Sequence, residues 1–117
     1  MIGAIFLFNL KGEILISRVY RPDIKRNIAD LFRVQVINNT KSKSPILTTP
    51  NVTFFHVLKE NVYVVALSQV NVNVAFAFEL IYKFISLCES YFDKLDEESV
   101  KNNFTLIYEL LDGFLIC

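Results

Sequence analysis

Asp93, Asp96, Glu97 and Glu98 crowd into six residues near the C-terminus, a set that a general acid–base pair or a divalent cation could use. A simpler account is at hand. Asp96 directly precedes a stretch with helical apolar spacing, and Glu97 and Glu98 fall in its first turn, where capping and the helix dipole explain them. The lone histidine, His56, sits between Phe55 and Val57 with no second titratable group near it in sequence, which reads as a packed or cross-strand side chain. Cys88 and Cys117 form no CxxC pair and have no histidine at ligand spacing, so neither a disulfide framework nor a zinc site is indicated, and a reducing cytosol fits. There is no GxSxG, HExxH, P-loop or GxGxxG, and three glycines leave little material for a phosphate cradle. The chain reads as non-catalytic, with no catalytic, cofactor-binding or metal-ligating residue.

Other short signals are weak. Three N-x-S/T sequons, at Asn38, Asn51 and Asn103, are accidental in a cytosolic chain. Ser44-Pro45 and Thr49-Pro50 have the form of proline-directed phosphorylation sites, although a polar loop of this composition yields such pairs by chance. The opening MIGAIFLF lacks a basic leader and a cleavage site, and Ile2 removes the myristoylation motif, so it reads as structure.

The elements that carry these residues centre on Asn73–Phe92. Glu79, Lys83, Ser86 and Ser90 draw one narrow polar seam along a helix there. Val74, Ala77, Phe78, Leu80, Ile81, Phe84, Ile85, Leu87, Cys88, Tyr91 and Phe92 fill the rest, an arc wider than an ordinary surface helix shows, so packing on more than one side is expected. Glu79 and Lys83 interrupt the run too early for a membrane span. Ile2–Asn9 and Glu13–Tyr20 form a hairpin around Leu10-Lys11-Gly12, with Gly12 supplying a positive φ. Ile5 and Leu7 point to one face of the first strand and Ala4, Phe6 and Phe8 to the other, which predicts a sheet covered on both sides.

Pro22 and Asp23 open an amphipathic helix reaching about Ile37, with Ile24, Ile28, Leu31 and Phe32 on its apolar face. Lys25, Arg26, Arg33, Lys41 and Lys43 give this end a positive bias, either a solvated face or a contact for a phosphoinositide or acidic partner. Asn38–Pro50 is a surface loop with one short edge strand at Ile46 and Leu47. Val52–Leu58 and Val62–Gln69 make a second hairpin around Lys59-Glu60-Asn61. A last helix starts at Asp96, with Val100, Phe104, Ile107, Leu111 and Phe114 at helical spacing as its buried side.

With 117 residues the chain is one domain, 1–117, around one core. Twelve basic and twelve acidic residues cancel, leaving no nucleic-acid footprint. Hydrophobic residues make up 53% and mean hydropathy is +0.40, which points to apolar surface covered by a protein partner.

Five strings resemble one family in the right order: MIGAIFLFNLKGEILISRVYR (1–21), FRVQVI (32–37), TFFHV (53–57), NVNVAFAFELIYK (71–83) and, most specific, EESVKNNFTLIYELLDG (97–113). They resemble the N-terminal longin-type domain of the medium (mu) subunit of heterotetrameric clathrin adaptors, the plasma-membrane complex more than the Golgi one. The small (sigma) subunit shares the fold and matches less well. The resemblance implies an α+β, longin/profilin-like fold, β-β-α-β-β-β-α-α. Its five-stranded antiparallel sheet carries one helix on one face and two on the other. It also implies a scaffold role in the adaptor core, against a large beta-type subunit and the other adaptor chains, in clathrin-mediated endocytosis. Contact with membrane is then indirect, and the setting is cytoplasmic, peripheral at coated pits or vesicles. Cargo recognition belongs to the family's C-terminal domain, which these 117 residues lack; the chain departs from the family at Gly113–Cys117, which reads as a truncated end.

The alternative is a free-standing longin-like module that regulates a fusion protein or a GTPase. In either case Leu31, Val34, Ile37, Ile46 and Leu47 are the expected partner-facing residues, where an amphipathic helix lies beside a poorly covered edge strand.

Overall fold

The computed structural model describes residues 2–22, 24, 27–37, 44–68 and 73–114, with Phe114 as backbone only. Asp23, Lys25, Arg26, Asn38, Lys41, Lys43, Gln69 and Cys117, to which the sequence reading gave roles, lie outside the described residues, as does the side chain of Phe114. Five strands, β1 (Ile2–Asn9), β2 (Ile14–Val19), β3 (Ile46–Thr48), β4 (Thr53–Lys59) and β5 (Val62–Ser68), form one antiparallel sheet in the order β2-β1-β5-β4-β3. The N-terminal strand is interior, between β2 and β5, and all eight of its residues are buried. That is the consequence of its being apolar on both faces.

The tight β1–β2 turn rests on Gly12, at φ +91°, a conformation that L side chains rarely adopt. The Arg33 side chain closes over it, donating from Nε to the Gly12 carbonyl at 2.6 Å. An added Cβ would also lie 2.9 Å from Arg33 Cγ, so both backbone and space demand glycine. Asn9 fixes the strand end: its Oδ1 accepts from Lys11 and Glu13 N–H at 3.0 and 2.9 Å, and its Nδ2 reaches Glu97 at 3.1 Å.

One helix covers one face. α1 (Ile28–Phe32) continues as a wider, π-type turn over Arg33–Ile37. Pro22 lies in a turn well before it and Asn27 stands at its N-cap, so the helix starts later than the proline suggested. Ala29, Phe32 and Val36 are the fully covered residues, packed on Ala4, Phe6, Phe8, Phe54, Val65 and Leu67. Phe32 sits at the centre, its ring 5.2 Å from those of both Phe8 and His56.

The other face carries α2 (Val74–Phe92), α3 (Glu97–Asn102) and α4 (Phe104–Phe114). Asn73 caps α2 by accepting from Phe76 N–H at 3.1 Å, and Asp93, at φ 71°, ends it. Asp96 caps α3 through Ser99 N–H at 2.8 Å. The single last helix expected from spacing is in fact two. Asn103 leaves the helical region at φ −134°, ψ 31°, and its side chain donates to the Ser99 carbonyl at 2.7 Å. Two successive asparagines compete for backbone bonds and weaken a helix at that point. Val100, Ile107 and Leu111 are buried as expected, but Phe104, now the first residue of a new helix, is 41% exposed. It is not a core residue.

Candidate protein interface

Among the described residues no group of three or more His, Cys, Asp or Glu side chains is placed to hold a metal ion. The acidic run is consumed locally. Asp96 is held below the usual carboxylate range chiefly by the Ser99 hydrogen bonds of its cap. Glu97 is lowered by Asn9 and by Lys101, whose Nζ lies 3.1 Å away. Burial pushes the Cys88 thiol up to about 12, so its nucleophilic thiolate is suppressed at neutral pH. His56 packs edge-on against Phe32 and near Tyr63, and its Nδ1 meets no hydrogen-bond partner among the described residues. Burial lowers its pKa, which favours the neutral imidazole. It is a packed side chain, as its neighbours in sequence implied.

What remains is apolar surface. α2 buries Ala77, Ile81, Phe84, Ile85 and Cys88, a face at i, i+4, i+7, i+8 and i+11, against β4, β5 and α4. Beyond that face, Phe78, Leu80 and Phe92 of the wide apolar arc are half-buried against the same core. Val74, Phe76, Tyr82 and Tyr91 are all exposed, so packing on more than one side reaches only the sheet and α4 in this chain. Tyr82 is 56% exposed, and across from it Leu58 of β4 is 50% exposed. Between them lies a groove of about 610 Å³, lined also by Val36, Pro45, His56, Val57, Tyr63 and Phe78. It wraps the rim of the sheet where β4 runs on past the end of β3, which pairs only as far as Ile46 with Phe55.

The five residues singled out from the sequence do not line this groove; four belong to the α1 side and Ile46 to the other. Leu31, Ile37 and Leu47 are half-buried against the α1-side cluster, while Ile46 packs against the α2-side core. Adjacent residues of a strand point to opposite faces, which separates Ile46 from Leu47. Val34 alone stands out, 58% exposed. Leu58, Phe78 and Tyr82 were missed as surface because β-branched and aromatic patterning marks a strand or helix face without showing where the neighbouring strand stops.

The opposite rim is bridged to α4. Tyr108 of α4 accepts from the outward Ser17 N–H of β2 at 3.2 Å, Arg18 meets Asp112 at 2.7 Å and lies 5.0 Å from the Tyr108 ring centre, and Tyr20 donates to the Leu111 carbonyl at 3.1 Å. Burial, and then the Asp112 charge, push the Tyr20 phenol up to about 12. The sheet thus has one rim tied to α4 by polar contacts, with Ile14 and Val19 of β2 still exposed, and one with an apolar groove.

A five-stranded antiparallel sheet with one helix on one face and further helices on the other defines a longin-like fold. Comparison with known proteins narrows this. No family model matches the chain. An AP-2 complex subunit mu of Caenorhabditis elegans is 51% identical over 116 residues, and one of Dictyostelium discoideum 46% over 115, each match covering 98% of this chain. The fission yeast Schizosaccharomyces pombe protein of the same name is 39% identical over 115 residues. The chain belongs to the clathrin adaptor mu-subunit family, as its longin-type domain. It spans about a quarter of the length of these curated relatives, 26% in each case.

Proposed function

We propose that the domain is a scaffold without chemistry of its own, docking into an adaptor core against a large beta-type subunit during clathrin-mediated endocytosis and vesicle transport. The observation that carries this reading is the apolar groove at the β4 rim beside the exposed flank of α2, which suits burial against another adaptor chain better than exposure to water. Mature interfaces have an apolar centre with aromatic residues, and Phe78, Tyr82, Val57 and Leu58 have that character. The relatives are named as subunits of a complex, which supports the choice of another adaptor chain as occupant.

On this reading cargo recognition lies in residues beyond these 117, and membrane is met only through the assembled complex. The setting is cytoplasmic, peripheral at coated pits. No helix among the described residues is long and apolar enough to cross a membrane. Zero net charge gives no drive toward nucleic acid.

Co-expression with the helical trunk of a beta-type adaptor chain, followed by size-exclusion chromatography, tests the proposal. Co-elution is the expected result. Two well-folded proteins eluting apart would reject it and move the reading to a free-standing longin-like module that regulates a fusion protein or a GTPase.

A further inference from the structure

The geometry points to strand addition at the β4 rim: we infer that the groove takes an extended, uncharged segment of the partner chain, which joins the sheet as a further strand rather than packing there as a helix. This rests on the reading of the groove as an adaptor interface.

The main chain supplies the first argument. His56 N–H donates to the Pro45 carbonyl at 3.0 Å, so His56 turns its backbone toward β3. Its own carbonyl faces the same way, and the position that would donate to it is Pro45, which has no N–H. Leu58, two residues further on, turns its N–H and carbonyl to that side as well, past the pair of Ile46 with Phe55 where β3 begins. Pairing of β4 with β5 runs on to Lys59 and Val62, so Leu58 is held extended. Among the described residues nothing meets the His56 carbonyl or the Leu58 N–H and carbonyl.

Elsewhere along the sheet edges, side chains occupy such groups. On the outer side of β3, Ser44 Oγ accepts from Ile46 N–H at 3.3 Å and donates to the Ile46 carbonyl at 2.9 Å. On β2 the Tyr108 hydroxyl accepts from Ser17 N–H at 3.2 Å. A row of main-chain donor and acceptor left open is complemented by another main chain.

The walls of the groove supply the second argument. Val57 and Phe78 belong to the core on the α2 face, and Tyr82 stands one turn further along α2. Val36 and Tyr63 belong to the α1 face, with the His56 ring 6.0 Å from that of Tyr63. The two walls therefore lie on opposite faces of the sheet, with the β4 edge between them. A helix offers one apolar stripe to one floor, whereas successive residues of an added strand point to opposite faces and fill both walls. The charges beside the groove on β4 and α2 are already paired, Lys59 with Glu89 at 3.4 Å and Lys83 with Glu79 at 2.9 Å, so an uncharged segment is the one that fits. At about 3.3 Å per residue, the open edge from His56 to Lys59 takes about three or four residues.

The test is an NMR titration of the 117-residue chain with a capped hexapeptide of alternating valine and threonine, together with amide exchange at Leu58. In the free chain the Leu58 amide should exchange without protection. Saturating peptide should slow it roughly tenfold, the equivalent of about one hydrogen bond, and should shift the signals of both walls, Tyr82 and Tyr63 alike. The same peptide N-methylated at every residue should do neither. A Leu58 amide already protected by another part of this chain, no response to millimolar peptide, or an equal response to the N-methylated form would overturn strand addition. The complex with a beta-type trunk separates this inference from the reading beneath it. Trunk binding with slowed Leu58 exchange supports both, and trunk binding that leaves Leu58 unprotected overturns strand addition alone. Absence of trunk binding rejects the adaptor reading alone, and strand addition then stands or falls with the peptide.

Discussion

The two helical layers of this sheet bury their apolar residues to different depths. Over α1 and its π-type continuation, Ala29, Phe32 and Val36 are sealed, Leu31 and Ile37 are half-covered, and Val34 is the single large apolar side chain left exposed. Over α2 the inner face is sealed just as well, yet Val74, Phe76, Tyr82 and Tyr91 face solvent, with Leu58 of β4 beside the groove. A short helix on a phenylalanine-rich face uses up its apolar residues in making the core. The long helix has more than the sheet can cover, and the excess is what a partner can bury.

The largest effect expected from this contrast is on stability at the two inner faces. Phe84→Ala in α2 and Phe32→Ala in α1 should each cost about 3–5 kcal/mol in urea unfolding, because both rings are fully buried. A loss as large for Tyr82→Ala would break the distinction between inner and outer faces of α2; less than about 1 kcal/mol is expected. Phe104→Ala, which its spacing made a core substitution, should likewise cost under about 1 kcal/mol.

Next in size is the tie between α1 and the first hairpin. Gly12→Ala should cost roughly 1–2 kcal/mol from backbone strain alone, with further loss as Arg33 is displaced. An unchanged urea midpoint would show that the turn adapts.

The smallest effect is a pH dependence confined to the α1 side. Folded His56 binds its proton less readily than the unfolded residue, whose pKa is near 6.5, so its contribution to stability is complete above about pH 6.5 and is lost as pH falls through the lower folded value. Asp96 and Glu97 are also lowered, but their contributions fade only below the ordinary carboxylate range. Comparing urea midpoints at pH 7 and pH 5.5 should show a small decline in the native chain that is absent in His56→Gln. A rise in stability on acidification would contradict the burial of a neutral imidazole.

Much of the fold was legible because its signals are local. The alternation of Ile5 and Leu7 with Ala4, Phe6 and Phe8, the φ of Gly12 and the cap at Asp96 are each set by a few neighbouring residues. The order of elements and the strings shared with mu subunits gave the fold as a whole. What was not legible depends on distance in space. The break at Asn103 turns on competition between side-chain and main-chain bonds, and it moved Phe104 from the expected core to the surface. Ile46 and Leu47 fall on opposite faces of the sheet, which sets Ile46 apart from the other four anticipated residues. The groove beside Leu58 and Tyr82 exists because β3 ends before β4 does, and no spacing within either segment encodes that mismatch.

The central claim is that the groove at the β4 rim, lined from both faces of the sheet, rather than the outer surface of α1 around Val34, meets the large adaptor chain, and calorimetric titration of a beta-type trunk with three forms of this domain tests it most directly. The native chain and Val34→Glu should bind alike, while Leu58→Glu combined with Tyr82→Glu, still folded by circular dichroism, should lose at least about 2 kcal/mol, or roughly thirtyfold in affinity. Undiminished binding by the groove variant, or loss of binding with Val34→Glu alone, would contradict the account.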